Sequence, residues 1–507
     1  MAEIEKKAGG AVGAGRGLLF ITGAKLWFMV AGYAIAFGLP RALGSPDKYG
    51  VWSVVLSFVS LFNNVMVTAS IQTVSRFIAQ VPTRAGSVAR AALRRNLIGG
   101  AVLVAAFAGG APLVAAALHD PAYTSYFRVA GIVSGCYAVY AVYVGIANGQ
   151  RQFQKQAGLD ITFATLRAGL VIFAAHQTGS VLAALGGFAG AAVLILLLAA
   201  VWVGLGARSH ERFAAGELER YFGWVAVYLA LVNLVMFIDT FLLKRMVTIA
   251  AETPLNTHAA AAGDTAAGLY NAAQTIARLP YQLILAVTFV IFPIMSRATF
   301  DADADRARRY VVVTMRYSLI VVGLMAATLA ARPAAILRVL FPADYVHAAA
   351  ALPILAAGYV AFSLFNILGT ILNSAGETRA ALVSGVVTVA VCVAAVWGGL
   401  TLAIARGIEP ALAAATGTTS AMIVGMLLAG GAVRRRFGAV LPTATALRVL
   451  LATAACAAVG RAWPTAGFLG GKVGTLLSLG AIGLAFLAVV SPDLRPSELR
   501  RLRAELR

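Results

Sequence analysis

Apolar residues form long segments along most of this chain, and short polar connections separate them. Fourteen of these segments are long enough to cross about 30 Å of hydrocarbon as a helix, which takes about 18 to 20 residues. They lie at 17–39, 51–75, 97–118, 128–147, 158–176, 179–205, 221–243, 267–293, 311–331, 350–373, 380–403, 410–433, 444–461 and 473–490. The pattern predicts an all-α polytopic membrane protein with about 14 transmembrane helices.

The connections between these segments are too short to fold as separate catalytic domains. The longest one, from Lys244 to Ala266, has about 23 residues. We therefore expect any activity to lie within the membrane-spanning part. The predicted organisation comprises a cytoplasmic N-terminal tail (1–16), an N-terminal six-helix lobe (17–205), a C-terminal six-helix lobe (221–433), an additional helix pair (444–490) and a basic cytoplasmic tail (491–507).

Composition and charge agree with a membrane protein. Hydrophobic residues make up 60% of the chain and charged residues only 12%, which excludes a soluble enzyme. The net charge of +21 would suggest nucleic-acid binding in a soluble protein. With a cytoplasmic N-terminus, however, 26 of the 41 Lys and Arg residues fall on the cytoplasmic side, 9 outside and 6 within spans. The positive-inside rule then predicts that both termini are cytoplasmic, and no nucleic-acid partner is expected.

The sequence offers no cluster of residues typical of catalysis or metal binding. The three cysteines fall inside spans without metal-ligand spacing, and the five histidines are scattered. Asp301, Asp303 and Asp305 are spaced like the metal-binding carboxylates of a glycosyltransferase, but they alternate with alanine and run into Arg306. We interpret this stretch as a solvated cytoplasmic loop that opens a helix, and we expect no enzyme activity, metal or cofactor.

Several landmarks recur about 220 residues apart, which indicates an internal duplication. Tyr49-Gly-Val-Trp-Ser before span 2 parallels Gly268-Leu-Tyr-Asn before span 8, and Ala147-Asn-Gly-Gln-Arg after span 4 parallels Leu372-Asn-Ser-Ala-Gly-Glu after span 10. Each copy holds six spans, an even number, so both copies enter the membrane in the same direction. The lobes are therefore predicted to be parallel repeats.

These features resemble the polysaccharide-biosynthesis (Wzx-type) branch of the multidrug/oligosaccharidyl-lipid/polysaccharide (MOP) exporter superfamily. The motifs that carry the resemblance are Leu43-Gly, Phe237-Ile-Asp-Thr-Phe-Leu-Leu in span 7, Gly268-Leu-Tyr-Asn-Ala-Ala at span 8 and Pro293. The resemblance implies a V-shaped bundle in the bacterial inner membrane with a central cavity lined by spans 1, 2, 7 and 8. It also implies transport of polyprenyl-diphosphate-linked sugars by alternating access.

Polar residues in the candidate cavity spans recur at helical spacing. In span 2 they form one stripe, which is Ser53, Ser57, Ser60, Asn64, Thr68, Gln72 and Arg76. We predict that Asn64, Gln72, Asn271, Gln274 and Tyr281 line the cavity and hydrogen-bond the sugar hydroxyls. Because polar side chains also join helices within membranes, an interhelical role stays open for the small hydroxyls.

Cations deep in a span are costly and therefore indicate function. We predict that Lys25 and Arg278 bind the diphosphate, since Arg offers a fixed fork of donors and Lys a movable point charge. An alternative for Lys25 is that its ammonium extends to the cytoplasmic headgroups. An alternative for Arg278 is a structural ion pair with Asp239. A pair with Asp160 stays open for Arg167.

Asp239 is the one carboxylate well inside the candidate cavity spans, so it is the predicted coupling site. An ion pair with Lys244 or Arg278 is the open alternative. Transport is expected to draw on H⁺, Na⁺ or the membrane potential, with membrane lipids and a glycan polymerase or assembly machinery as further partners. A lipid II flippase, a multidrug antiporter of the same superfamily and a membrane glycan polymerase remain alternative functions.

Overall fold

Helices make up nearly all of the described chain, and no β-strand occurs in the described residues. The computed structural model describes residues 2–206, 215–253, 258–285, 295, 304–464 and 471–494, with side chains from Phe20 onward. The helices of the first half are α1 (Ala2–Leu43), α2 (Pro46–Gln80), α3 (Ala85–Ala117), α4 (Tyr123–Gly149), α5 (Phe153–Thr178), α6 (Val181–Trp202), α7 (Ala215–Ala251) and α8 (Ala259–Ala277).

The second half continues in the same manner. Its helices are α9 (Ala304–Ala331), α10 (Pro333–Leu340), α11 (Ala351–Ser374), α12 (Thr378–Ala405), α13 (Pro410–Phe437), α14 (Thr443–Ala462) and α15 (Lys472–Val490). Pro46 and Pro410 occupy the first turns of α2 and α13, where a missing N–H costs no helical hydrogen bond. Asp305 lies in the first turn of α9, as the sequence predicts for a helix start, whereas Asp301 and Asp303 lie outside the described residues.

Thirteen helices in the described residues are long and apolar enough to cross a membrane. They correspond to thirteen of the fourteen predicted spans and confirm the prediction of an all-α polytopic protein. The remaining predicted span, 267–293, lies partly outside the described residues, as does the basic tail from residue 495 onward. Large apolar side chains such as Val201, Leu113 and Leu484 are more than two-thirds exposed, which suits a surface that faces lipid tails.

The chain divides into two compact units, unit 1 (Met1–Gly268) and unit 2 (Leu269–Arg507). In unit 1, α2 packs against α4 and α7, α3 packs against α4, and α1 packs against α5. A Cβ atom built on Gly135 of α4 would lie 2.5 Å from Val104 Cγ2 of α3, so glycine is what permits this close approach. The predicted lobe boundaries near 205 and 221 stay a prediction.

Unit 2 is also built from closely packed helices. α13 packs against α11 and α12, and α14 packs against α9 and α15. A Cβ on Gly358 of α11 would lie 2.5 Å from Thr419 Oγ1 of α13, and that hydroxyl donates to the Ile354 carbonyl oxygen at 2.9 Å. A small residue and a hydroxyl thus allow α11 and α13 to pack closely, as expected for helices in a membrane.

Candidate functional site

A cavity of about 220 Å³ lies within unit 1, enclosed by α1, α2, α4, α5 and α6. Its polar lining includes Lys25 of α1, Asn63 and Asn64 of α2, Tyr140 of α4 and Arg167 of α5. The other walls are largely aromatic and aliphatic. The cavity therefore combines cations, neutral hydrogen-bonding groups and aromatic faces in the membrane-spanning part of the protein.

Some residues of the polar stripe of α2 line this cavity, and others do not. Ser60, Asn64 and Thr68 line the cavity, so the prediction for Asn64 as a cavity residue agrees with the geometry. Asn64 Nδ2 also donates to Asn233 Oδ1 of α7 at 2.8 Å. Gln72 is exposed and is not among the residues that line this cavity, and Arg76 lies over the Tyr221 ring at 4.3 Å.

Lys25 is paired with a carboxylate at the cavity. Its Nζ lies 2.7 Å from Oδ2 of Asp160, whose side chain is 8% exposed, whereas the Lys25 side chain is 57% exposed. Because the Lys25 ammonium is exposed, it can exchange Asp160 for another partner without becoming a buried, unpaired charge. Asp160 therefore pairs with Lys25 of α1, and the pair with Arg167 that the sequence left open is not formed.

Aromatic rings hold Arg167 instead of a carboxylate. The guanidinium carbon lies 4.8 Å from the ring centroid of Phe28, 5.7 Å from that of Phe163 and 5.8 Å from that of Phe188. Such cation–π contacts stabilise a cation, and Nε of Arg167 has no hydrogen-bond partner in the described protein. No ion pair of Arg167 is found in the described part of the chain.

Several buried polar atoms at the cavity have no hydrogen-bond partner within the described protein. They include Arg167 Nε, Tyr140 Oη, Asn63 Oδ1 and Tyr137 Oη. Tyr140 is 5% exposed and Asn63 is 6% exposed, so neither is well solvated. Buried polar groups are nearly always paired, and unpaired donors and acceptors around one cavity indicate a place for a polar ligand. The unpaired guanidinium donor favours an anionic group there.

Arg278 belongs to a second polar group, within unit 2. Pro280 has no N–H to continue the hydrogen-bond ladder, and α8 is interrupted at Arg278 before helical residues 279–285. Arg278 Nε donates to Tyr359 Oη at 2.7 Å, and Nη2 donates to Gln274 Oε1 at 2.5 Å. The ring of Tyr281 packs 5.0 Å from that of Phe362.

The other predicted residues have local partners. Asn271 is buried, and its Oδ1 accepts from Thr275 Oγ1 at 3.3 Å. Asp239 is fully buried, and its Oδ1 accepts the backbone N–H of Thr240 at 2.7 Å. Lys244 does not pair with Asp239, which removes one of the open alternatives, because it contacts Asp120 and Asp264.

Lys25 and Asn64 thus line the same cavity in unit 1. Arg278, Gln274 and Tyr281 lie together on α8 and the helical residues that follow it. The sequence did not indicate Asn63 or Tyr140 as site residues, and it left the role of Arg167 open. Arg167 lies seven residues, or about two turns, after Asp160, and this spacing places both on one face of α5. That shared face was the available signal.

The sequence and the fold were compared with known proteins. Residues 39–350 match the family described as polysaccharide biosynthesis protein. No curated protein sequence matches the chain significantly. Among solved structures, a lipid II flippase MurJ in an inward closed conformation superposes with a TM-score of 0.73 at 11% identity, covering 94% of this chain and 99% of that chain.

Two further solved structures have a similar fold. An inward-facing MATE multidrug resistance transporter of the MOP superfamily gives a TM-score of 0.63 at 18% identity, covering 80% of this chain and 94% of that chain. A MOP superfamily transporter from Pyrococcus furiosus, with a binding pocket described as having reversed polarity, gives 0.59 at 16% identity, covering 83% and 95%. The family match covers more than half of the chain, so the protein belongs to the polysaccharide biosynthesis protein family, with the fold of MOP superfamily transporters.

Proposed function

We propose that this protein flips a polyprenyl-diphosphate-linked oligosaccharide, an O-antigen or exopolysaccharide repeat unit, from the cytoplasmic to the outer leaflet of the bacterial inner membrane. Family membership and the MOP fold support a role in carrying a lipid-linked glycan. The observation that carries the proposal is the unit 1 cavity, where unpaired polar atoms and two cations lie in the membrane-spanning part. Transport would proceed by alternating access and without enzymatic chemistry.

In this proposal the diphosphate is bound through Lys25, with Arg167 as an additional ligand that the sequence analysis did not assign. Lys25 is exposed enough to exchange Asp160 for a phosphate oxygen, and Arg167 has an unpaired donor. Hydrogen bonds between charged partners each contribute about 1.5–3 kcal/mol, so two such contacts outweigh one exposed ion pair. Arg278 stays the second proposed diphosphate ligand, on unit 2.

Neutral groups are proposed to bind the sugars. Asn64 lines the cavity, and Asn63 and Tyr140 add an unpaired amide oxygen and an unpaired hydroxyl. Phe28, Phe163 and Phe188 offer apolar faces beside these polar atoms, a combination that suits a sugar ring with its hydroxyls at the edge. The sugar-binding roles of Gln72, Asn271, Gln274 and Tyr281 stay predictions.

The polyprenyl tail would remain in the lipid while the head group crosses. An inside-negative potential favours the outward movement of an anion by about 2.3 kcal/mol per charge per 100 mV. Asp239 stays the proposed site of H⁺ or Na⁺ coupling, and a glycan polymerase or assembly machinery would receive the product outside. Both termini are proposed to face the cytoplasm.

A lipid II flippase is the second candidate, because the fold matches a lipid II flippase over 94% of this chain. Both substrates present a diphosphate on a polyprenyl tail and differ in the attached group. A multidrug antiporter would be expected to bind organic cations, whereas this cavity presents Lys25 and Arg167. A glycan polymerase would have to transfer sugars, which an assay of the purified protein for glycosyl transfer would reveal.

Reconstituted vesicles test the proposal. A fluorescent polyprenyl-diphosphate-linked oligosaccharide is added to vesicles with and without the protein, and an impermeant quencher reports the fraction that remains inside. We expect protein-dependent flipping of this substrate, faster than that of fluorescent lipid II, and its loss in Lys25→Ala and Arg278→Ala. Equal rates with and without protein would refute the proposal, and a preference for lipid II would favour the second candidate.

A further inference from the structure

A buried cluster of charged residues lies in unit 1, apart from the cavity. Lys244 of α7 is fully buried, and its Nζ lies 2.9 Å from Asp264 Oδ1 and 3.4 Å from Asp120 Oδ2. The same ammonium donates to the Ala260 carbonyl oxygen at 2.8 Å, and Tyr123 Oη donates to Asp264 Oδ1 at 2.6 Å. We call these four side chains, Asp120, Tyr123, Lys244 and Asp264, the Lys244 cluster.

The cluster joins the turn between α3 and α4 to α7 and α8, which lie more than 90 residues further along the chain. Asp120 follows the end of α3, Tyr123 begins α4, Lys244 lies on α7 and Asp264 lies on α8. His119 adopts a left-handed conformation with φ of 54°, which turns the chain so that Asp120 meets Lys244. The ammonium of Lys244 therefore connects α7 and α8 to the turn between α3 and α4.

The charges within the cluster do not balance. Two carboxylates and one ammonium leave one excess negative charge when all three groups are ionised, and each of these residues is at least nine-tenths buried. The neighbouring charged groups have other partners. Arg245 donates to the Ala117 carbonyl oxygen, and His119 lies 2.9 Å from Glu252. Tyr126, packed against Tyr123, is the other titratable neighbour on α4.

A buried hydroxyl without a partner lies beside the cluster. Thr248 of α7 is fully buried, and its Oγ1 has no hydrogen-bond partner in the described protein. A Cβ built on Gly263 would lie 2.1 Å from this oxygen and 3.0 Å from Lys244 Cδ, so the hydroxyl lies next to the lysine and to the residue before Asp264. The Thr248 hydroxyl can thus donate or accept a hydrogen bond beside the cluster that carries the excess charge.

The cluster does not suit a metal ion, because Lys244 Nζ already contacts both carboxylates and no group of three or more His, Cys, Asp or Glu residues that could hold a metal occurs in the described residues. A Cβ on Gly50 of α2 would lie 1.8 Å from the Asp264 carbonyl oxygen, so the backbones of α2 and α8 are already in contact there. Lys244 fills the space between the two carboxylates. A proton needs no additional volume, and two carboxylates in one buried site disfavour the ionisation of both.

We infer that Asp264 takes up one exchangeable proton while Asp120 keeps its ion pair with Lys244, which makes the Lys244 cluster a proton-binding site separate from Asp239. Uptake of the proton cancels the excess charge and replaces one ion pair of Lys244 with a weaker contact, which loosens the attachment of α7 and α8 to the α3–α4 turn. Release of the proton restores both ion pairs. The coupling of this step to transport rests on the proposed function, whereas proton binding itself does not.

Infrared difference spectroscopy of the purified protein tests proton binding directly. When the buffer is changed from mildly alkaline to mildly acidic, we expect a carboxylic-acid C=O band that shifts in D₂O. The band should be lost in Asp264→Asn or in Asp120→Asn and kept in Asp344→Asn, which changes an exposed carboxylate. The absence of the band in the wild type, or its persistence in both cluster variants, would overturn the inference.

Coupling is tested with vesicles in which lipid-linked oligosaccharide flips with and without a pH gradient. We expect the gradient to change the wild-type rate and to leave the rate of Asp264→Asn unchanged, although that variant still flips its substrate. An identical response of both proteins to the gradient would overturn the coupling step. If the wild type flips no lipid-linked glycan, the proposed function fails, and the infrared result still decides whether the proton site exists.

Discussion

Lys25 of α1 contacts Asp160 of α5, with 2.7 Å between Nζ and Oδ2. Asp160 is the only carboxylate that lines the unit 1 cavity in the described chain. Because Asp160 pairs with Lys25, Arg167 lies between aromatic rings and not beside a carboxylate. The cavity therefore holds one cation with an exchangeable partner and one cation with an unpaired donor. An anionic ligand can satisfy both, and the diphosphate of the proposed substrate is such a ligand.

Asp160→Asn is expected to strengthen diphosphate binding. Without its carboxylate partner, Lys25 is free to contact the ligand, and loss of a competing pair with one exposed member is worth about 0.2–1 kcal/mol, or about a 1.4- to fivefold increase in affinity. Isothermal titration of the purified protein with inorganic diphosphate measures the effect. The double variant Lys25→Gln/Asp160→Asn should show no such gain, and an equal gain in both variants would assign the effect to something other than Lys25.

Arg167→Ala is expected to slow flipping of the lipid-linked oligosaccharide by about tenfold to a hundredfold, because one charge-assisted hydrogen bond of about 1.5–3 kcal/mol is lost. Arg167→Lys keeps the charge without the planar fork and should be intermediate. The matched control is Arg338→Gln, which changes an exposed arginine of α10. If Arg167→Ala flips substrate as fast as this control, Arg167 does not contact the head group.

Lys244→Met is expected to destabilise the protein strongly. Removal of the buried ammonium leaves Asp120 and Asp264 without their cation, a loss of about 3–5 kcal/mol for a broken buried pair. Arg436→Gln offers the contrast, because Arg436 and Glu377 are about half exposed and 3.6 Å apart, a pair worth about 1 kcal/mol or less. Midpoints of thermal unfolding compare the two variants, and similar midpoints would contradict the importance of the buried cluster.

Gly50→Ala is expected to disrupt the contact between α2 and α8. The added methyl group would lie 1.8 Å from the Asp264 carbonyl oxygen, and relief by a backbone shift costs about 1–3 kcal/mol or more. Gly186→Ala on α6 is the control, since no atom lies within 4 Å of its Cβ position. We expect a lower unfolding midpoint for Gly50→Ala and an unchanged or higher midpoint for Gly186→Ala. Equal midpoints would show that the helices do not approach this closely.

Much of the fold could be predicted from the sequence, because each membrane helix is recorded locally as an apolar segment of sufficient length. Asn64 could be placed in a cavity for a similar reason, since the polar stripe of α2 repeats at helical spacing. The pairing of charges could not be predicted. Lys25 and Asp160 lie on separate helices, and no local pattern distinguishes that pair from Arg167 with Asp160.

The Lys244 cluster illustrates the same limit. From the sequence, Lys244 is only one of the nine cations expected on the outer side, and its partners come from α8 and from the turn before α4. Only the packing of α7 against these elements makes it a buried ion cluster. Conversely, Gln72 has the right spacing for the polar stripe, yet its side chain is exposed and does not line the cavity, although the neighbouring Ile71 does.

Photochemical cross-linking locates the bound head group directly. A polyprenyl-diphosphate-linked oligosaccharide with a photoreactive group on its first sugar is incorporated into vesicles with the protein, irradiated and mapped by mass spectrometry. We predict cross-links on α2 around residues 60–68 and on α5 around residues 160–167, which unlabelled substrate suppresses and Arg167→Ala weakens. Cross-links absent from both segments, or unaffected by excess unlabelled substrate, would contradict the binding of the lipid-linked glycan in the unit 1 cavity.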